Sequence, residues 1–171
     1  MELWDGYNAD GTMAGIDLIR GKQVPKGIYH IVAEILVVHK DKSVLLMQRD
    51  FKKPNYPGLY EASAGGSILK GESSENGAFR ELREETGIIA EQLEFLSRFV
   101  KTNGKSIHDQ YICITDCDKN SIVLQKGETI GYKWMEKKEL LEFMNTKNYV
   151  RSHRDRLMRV FDRINEIMDK I

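Results

Sequence analysis

The chain has 171 residues, 41% of them hydrophobic and 30% charged, which argues for one globular domain with a sizeable core and against a disordered chain. Twenty-six lysines and arginines balance 26 aspartates and glutamates, so the global charge favours neither nucleic acid nor an anionic membrane as partner, and any attraction for phosphate must be local. The longest apolar run, Ile31 to Val38, is interrupted by Glu34 and falls far short of the roughly 20 residues that span a bilayer.

The N-terminus, MELWDGYNADG, lacks the basic start and apolar run of a signal peptide, which points to the cytoplasm. In LWDGYNADGTMAGIDLI, aromatic and β-branched residues on both sides of Asn8–Gly11 predict an N-terminal hairpin, an extension over residues 1–27. IYHIVAEILVVHKDKSVLLMQR predicts a second hairpin turning at His39 to Ser43, its strands covered on both faces. DFKKPNYPG is a loop by its prolines and glycine, and LYEASAGGSI after it has the length of one short strand.

A helix follows, capped by Ser73 or Ser74, complemented by Glu75 at its positive end and stopped at Gly87. Further strands are predicted at Leu93 to Lys101, Ser106 to Thr115 and, more briefly, Tyr132 to Trp134. Cys113 and Cys117, in or just after one of these strands, have no second pair to complete a zinc site and read as reduced thiols. Beyond Lys138 the pattern turns helical. Leu157, Val160, Phe161, Ile164, Ile167, Met168 and Ile171 recur at three- and four-residue steps, one face of a C-terminal helix over residues 150–171. That face suits the domain's own core, and the alternative is a partner subunit in a homodimer. The order of elements gives an α/β or α+β sandwich around a mixed sheet. With no linker or repeat to divide it, the chain reads as a single domain over residues 1–171.

The chemistry concentrates in GGSILKGESSENGAFRELREETGI, residues 65–88. On a helix Glu81, Glu84 and Glu85 stand at i, i+3 and i+4, so their carboxylates share one face and repel unless a cation lies among them. A cluster of carboxylates without cysteine or histidine suits a hard divalent ion, Mg²⁺ or Mn²⁺, and argues against zinc. Arg80 lies beside the cluster, and Glu72 can fold back onto it as a brace. Such an ion completes its coordination with water and phosphate oxygens, which points to cleavage of a phosphoanhydride.

Gly66, Glu72, Arg80, Glu81, Leu82, Glu84, Glu85, Gly87 and Ile88 together fill the spacing of the Nudix box, and the chain resembles the Nudix superfamily. A chance match to this pattern is on the order of one in ten million, which outweighs the simpler reading of a solvated charged helix. The LLMQR strand before the loop and GETIGYKWMEKKEL after the box extend the similarity. The resemblance implies an α/β/α sandwich and hydrolysis of a nucleoside diphosphate linked to another moiety. It makes Glu81, Glu84 and Glu85 metal ligands, Gly66 a backbone-carbonyl ligand, and Arg80 with Glu72 the supporting pair. Glu128 is its best match for a further carboxylate, as ligand or base, and a surface residue is the alternative.

The N-terminal extension and QRDFKKPNYPGLYEASAGG are similar to the isopentenyl-diphosphate isomerase branch, a proton-transfer chemistry that forms the main alternative. That branch needs a cysteine and, two residues later, a histidine where this chain has Ala64 and Gly66. His30 matches one of its metal-binding histidines, Gln23 replaces another, and Asp109 stands near the place of its catalytic glutamate. A second alternative is a binding module without catalysis, against which the complete box argues.

Arg49 and Lys53 fall where the isomerase branch contacts a diphosphate, and a basic pair beside an anionic site suits phosphate. His30 and Glu34 lie on one face of a strand and are candidates for the substrate cavity, Glu34 needing a partner if buried. Trp4, Tyr56 and Tyr60 could stack on a base, although aromatic residues near strands more often belong to the core.

Overall fold

A computed structural model describes the backbone of residues 1–171 and the surroundings of every side chain, position 104 excepted. Its elements in order are β1 (Leu3–Tyr7), β2 (Met13–Ile19), β3 (His30–His39), β4 (Val44–Arg49), β5 (Tyr60–Glu61), β6 (Ala64–Ser67), α1 (Ser74–Thr86), β7 (Glu94–Lys101), β8 (Ser106–Thr115), β9 (Thr129–Met135), α2 (Lys137–Phe143), α3 (Arg151–Met158) and α4 (Phe161–Met168). Strands β1 and β2 form the expected N-terminal hairpin, and the other seven make one mixed sheet between two helical layers, an α/β sandwich.

The sheet splits where the site lies. The second hairpin was expected to pair along its length, yet β3 and β4 share only the Val38–Val44 pair next to their turn. Beyond it they diverge. Strand β3 runs parallel to β8 from His30–Ser106 to His39–Thr115 and takes β6 on its other edge, with Ala33 opposite Gly66 and Glu34 opposite Gly65. Strand β4 takes β9 and the two-residue β5 instead. The single strand predicted over LYEASAGGSI is therefore two, one for each half of the split sheet. The strand predicted at Tyr132 to Trp134 extends over Thr129–Met135.

Alternation along β3 builds both cores. Ile31, Ala33, Ile35 and Val37 meet Ala78 and Leu82 of α1, while Leu36 and Val38 meet Leu140, Leu157, Ile164 and Met168 of α2, α3 and α4. Each fully buried aliphatic side chain contributes about 1.5–3 kcal/mol, so these two layers anchor the sheet.

The C-terminal segment departs from the single helix predicted for it. The chain breaks at Arg159 and Val160, where Val160 takes φ −113° and ψ 11°, outside the helical region. The break re-aims the apolar stripe, so that Leu157, Val160, Ile164 and Met168 all reach the sheet, while Ile171 stays exposed. Both cysteines are free thiols, and burial raises Cys113 to about 11. Among the described residues no helix is long and apolar enough to cross a membrane.

Candidate active site

Helix α1 is fixed at both ends by its own sequence. Ser73 Oγ accepts the Asn76 N–H at 3.1 Å, and Gly87, at φ 75°, closes the helix with its N–H on Arg83 O at 2.9 Å. Ala78 and Leu82 face the sheet, so Glu81 and Glu85, one turn from them, are carried to the same interface above β6. Gly77 is required there, because a Cβ would stand 2.4 Å from Ile68 Cδ1.

The glycine pair of β6 receives the carboxylates. A side chain at Gly65 would collide with the Ala33 carbonyl at 2.5 Å, and one at Gly66 would stand 2.3 Å from Glu81 Oε1. The Gly65 N–H donates to Glu85 Oε2 at 2.9 Å. Burial pushes the Glu85 carboxyl up to about 8, opposed by that N–H and helped by the charges of Glu61, Glu81 and Glu128. Burial raises Glu81 too, against the pull of Arg80.

Arg80 and Glu72 form the brace read from their spacing. Arg80 Nε donates to Glu72 Oε1 at 2.8 Å, and Nη2 donates to Glu72 Oε2 at 3.0 Å and to the Ser67 carbonyl at 3.2 Å. Its Nη1 lies 2.7 Å from Glu81 Oε1 and 3.3 Å from Glu84 Oε2. The hydrogen bonds it donates to Glu72 and Glu81 hold the guanidinium well above its usual range.

These groups open onto a cavity of about 400 Å³ that also takes in Arg49, Lys53, Gln125 and Glu128. Lys53 and Glu128 are paired with each other, and Arg49 is paired with Glu61 and donates to the Asn55 carbonyl at 3.1 Å. Two lining residues had no signal in the box: Glu2 and Arg20, from the two ends of the N-terminal hairpin, joined at 2.8 Å. Only the tertiary fold brings that hairpin to the cavity.

Among the described residues no three histidine, cysteine or acidic side chains converge closely enough to hold an ion as they stand, because the Arg80 guanidinium lies between Glu81 and Glu84. The residues nonetheless fit a hard divalent cation. The donors are all oxygens, and the Gly66 backbone sits against the Glu81 carboxylate where a Cβ would fill the space. Five acidic side chains (Glu2, Glu81, Glu84, Glu85 and Glu128) and four basic ones (Arg20, Arg49, Lys53 and Arg80) line the cavity, so it offers a diphosphate little net positive charge without a metal ion.

Glu34 lies elsewhere, in a second cavity of about 380 Å³ that shares Val32, Arg49, Gly65 and Ser67 with the first. It has the partners its burial demands. His108 Nδ1 donates to its Oε1 at 2.8 Å, and Arg156 Nε stands 2.7 Å from the same oxygen. Burial alone would raise this carboxyl, but the His108 hydrogen bond and the charges of His153 and Arg156 hold it down at about 2.

His30 lines neither cavity. Its ring stacks on Trp4 at 4.4 Å, and burial lowers its pKa. Trp4 is thereby committed to the hairpin's packing. Tyr60 meets Phe143 edge-on, and only Tyr56 of the three aromatic candidates lines a cavity. Asp109 is fully buried on Arg98, at 2.6 and 2.7 Å, and Gln23 is exposed.

A glutamate-bearing helix laid over a glycine strand at the split of a mixed sheet, with helices on both faces, defines the Nudix class of fold. The NUDIX domain family model matches residues 28–158, and the chain belongs to that family, as an enzyme of the pyrophosphohydrolase class. It is 28% identical over 150 residues to an uncharacterized Nudix hydrolase of Listeria monocytogenes, covering 88% of this chain and 89% of the relative. It is 27% identical over 140 residues to an ADP-ribose pyrophosphatase of Bacillus subtilis, covering 81% and 74%. A crystal structure from Deinococcus radiodurans shares the fold, with a TM-score of 0.72 at 19% identity over 87% of this chain and 92% of that one.

Proposed function

We propose that this single-domain enzyme carries out metal-dependent hydrolysis of a phosphoanhydride bond in a nucleoside diphosphate linked to a second small moiety, acting in the cytoplasm. The observation that carries this reading is the meeting of Glu81 and Glu85 with the Gly65–Gly66 backbone at a cavity whose lining carboxylates outnumber its cations. Glu81, Glu84, Glu85 and the Gly66 carbonyl would hold Mg²⁺ or Mn²⁺. Bound there, such an ion supplies Lewis-acid polarisation of phosphoryl oxygens and acidifies a coordinated water.

The chain's own groups do the rest. Arg80, gripped by Glu72, holds the start of α1 against the Ser67 carbonyl and keeps Glu81 oriented. Arg49 at the end of β4 and Lys53 in the loop after it line the cavity and would contact the diphosphate. Glu84, Glu85 or Glu128 accepts the proton of the attacking water as it adds to phosphorus.

Several features support hydrolysis over isoprenoid isomerisation. Ala64 cannot donate a proton, Gly66 cannot ligate through a side chain, and Asp109 is locked onto Arg98 away from both cavities. The purified protein is to be incubated with Mg²⁺ and a panel of nucleoside diphosphates, triphosphates, sugar nucleotides and isopentenyl diphosphate. Hydrolysis products that vanish in Glu84→Gln or Glu85→Gln are expected. Isomer formation without phosphate release would sink the reading, and binding without turnover would favour a non-catalytic module.

A further inference from the structure

Arg20 lines the carboxylate cavity, yet it lies outside the box and has no part in the step described above. The N-terminal hairpin sets its position. Its N–H donates to the Glu2 carbonyl at 3.1 Å, and its Nη1 donates to Glu2 Oε2 at 2.8 Å, so the two ends of the hairpin are joined at the cavity. Glu2 is itself tethered to the core, because its Oε1 accepts Trp4 Nε1 at 2.8 Å and Trp4 is buried on His30.

The hairpin is fastened in turn to the loop that leads into α1. The Lys70 N–H donates to the Leu3 carbonyl at 2.9 Å, and the buried Asp5 accepts the Gly71 N–H at 2.7 Å. The next residue is Glu72, which grips Arg80. Arg20 and the carboxylates of α1 therefore share one frame, although they are far apart in sequence. A bridge between Tyr7 and Tyr29 also joins the hairpin to the start of β3, so Arg20 enters from one side of the split sheet, while Arg49 and Lys53 enter from β4 on the other.

The four cations of the cavity differ in their commitments. Arg49, Lys53 and Arg80 have side chains 18%, 17% and 18% exposed, and turning one to a ligand strips a half-buried glutamate of its partner. Arg20 is 59% exposed and uses a single N–H on Glu2, and among the described residues its Nε and Nη2 have no hydrogen-bond partner. An ion pair so exposed contributes little and exchanges readily for a phosphate oxygen. The Glu2 hydrogen bond raises the Arg20 pKa, and the charges of Glu128 and Glu81 add to it, so the guanidinium senses carboxylates across the cavity.

We infer that Arg20 is a substrate contact and a specificity residue, leaving Glu2 for a phosphate oxygen and selecting ligands with two linked phosphates over those with one. The inference rests on the diphosphate reading of this cavity. Contacts from both sides of the split suit neighbouring phosphates, and a single phosphate satisfies one side.

Equilibrium binding of methylenediphosphonate and of inorganic phosphate, in excess Mg²⁺, tests this without turnover. Arg20→Ala is expected to weaken methylenediphosphonate binding about tenfold and phosphate binding about twofold or less, with part of the loss restored in Arg20→Lys. Glu2→Gln breaks the same ion pair but keeps the cation and an acceptor for Trp4 Nε1, and it is expected to tighten methylenediphosphonate binding by up to about fivefold. A pair that merely holds the hairpin predicts equal losses in Arg20→Ala and Glu2→Gln, and that result overturns the inference, as does an equal loss for both ligands in Arg20→Ala. Hydrolysis of a substrate with KM unchanged in Arg20→Ala would remove the contact and leave the hydrolytic reading. The expected binding pattern in a protein that hydrolyses no member of the substrate panel would leave the contact and remove the hydrolytic reading.

Discussion

Gly66 and Glu81 meet where a side chain would otherwise stand: a Cβ on Gly66 would lie 2.3 Å from Oε1 and 2.5 Å from Oε2 of Glu81. The glycine is therefore needed for space, its backbone lying outside the left-handed region. Gly66→Ala is expected to push the Glu81 carboxylate aside and lower kcat on the order of 100-fold, the cost of a displacement near 1 Å at a reacting centre. Its thermal midpoint should stay close to that of the parent chain. Steady-state kinetics with a melting curve tests both, and unchanged kcat would remove the role assigned to this contact.

Arg80 serves the site through a fork that a lysine cannot reproduce. Its Nε and Nη2 hold the two oxygens of Glu72 while Nη1 holds Glu81, with 18% of the side chain exposed. Arg80→Lys is expected to lose most activity despite retaining charge. Arg80→Ala should also cost about 1–3 kcal/mol of stability, because Glu72 and the Ser67 carbonyl lose a donor. Urea unfolding and turnover of the two variants measure this, and full rescue by lysine would refute it.

Glu85 is half-buried, and that burial pushes its carboxyl pKa up, so in the absence of a cation it is a liability to the fold. Glu85→Gln is expected to abolish turnover while leaving stability in metal-free buffer unchanged or higher by about 1 kcal/mol. The parent chain should gain thermal stability on adding Mg²⁺ by the logarithm of saturation, and the variant should gain much less. Differential scanning calorimetry over a Mg²⁺ series gives the comparison, and equal gains in both would exclude Glu85 from the ion's site.

The Glu34 network makes the fold acid-sensitive in two windows. The Glu34 carboxyl is lowered from 4.5 to about 2, so its stabilisation is complete above pH 4.5 and is lost as pH falls toward 2. Burial lowers His153 below 6.5, so the folded protein takes up that proton less readily than the unfolded chain, and stability also declines as pH drops below 6.5. Glu34→Gln is expected to cost about 3 kcal/mol at pH 7, by leaving the half-buried Arg156 without its carboxylate, and to flatten the decline between pH 4.5 and 2. Chemical unfolding at a series of pH values tests this, and an unchanged acid limb would show that the ion contact carries no weight.

By itself the sequence determined the local part of the site. The spacing of Glu81, Glu84 and Glu85, a serine cap at Ser73 or Ser74, the Gly87 stop and the Glu72–Arg80 brace lie within one helix and its leading loop. There side-chain periodicity and capping act over a few residues, so the pattern is legible without the rest of the chain. The tertiary structure decided what depends on distant partners. It split β3 from β4, because β6 takes the edge of β3 that β4 leaves while β4 pairs with β5 and β9, and it broke the C-terminal helix at Val160 so that its apolar stripe follows the sheet. It paired Lys53 with Glu128 and committed His30 to Trp4, and it brought Arg20, Glu61 and His153 to the cavities from three separate segments. Long-range packing leaves no periodic trace at any of those positions, since each is fixed by a contact with residues far away in the chain.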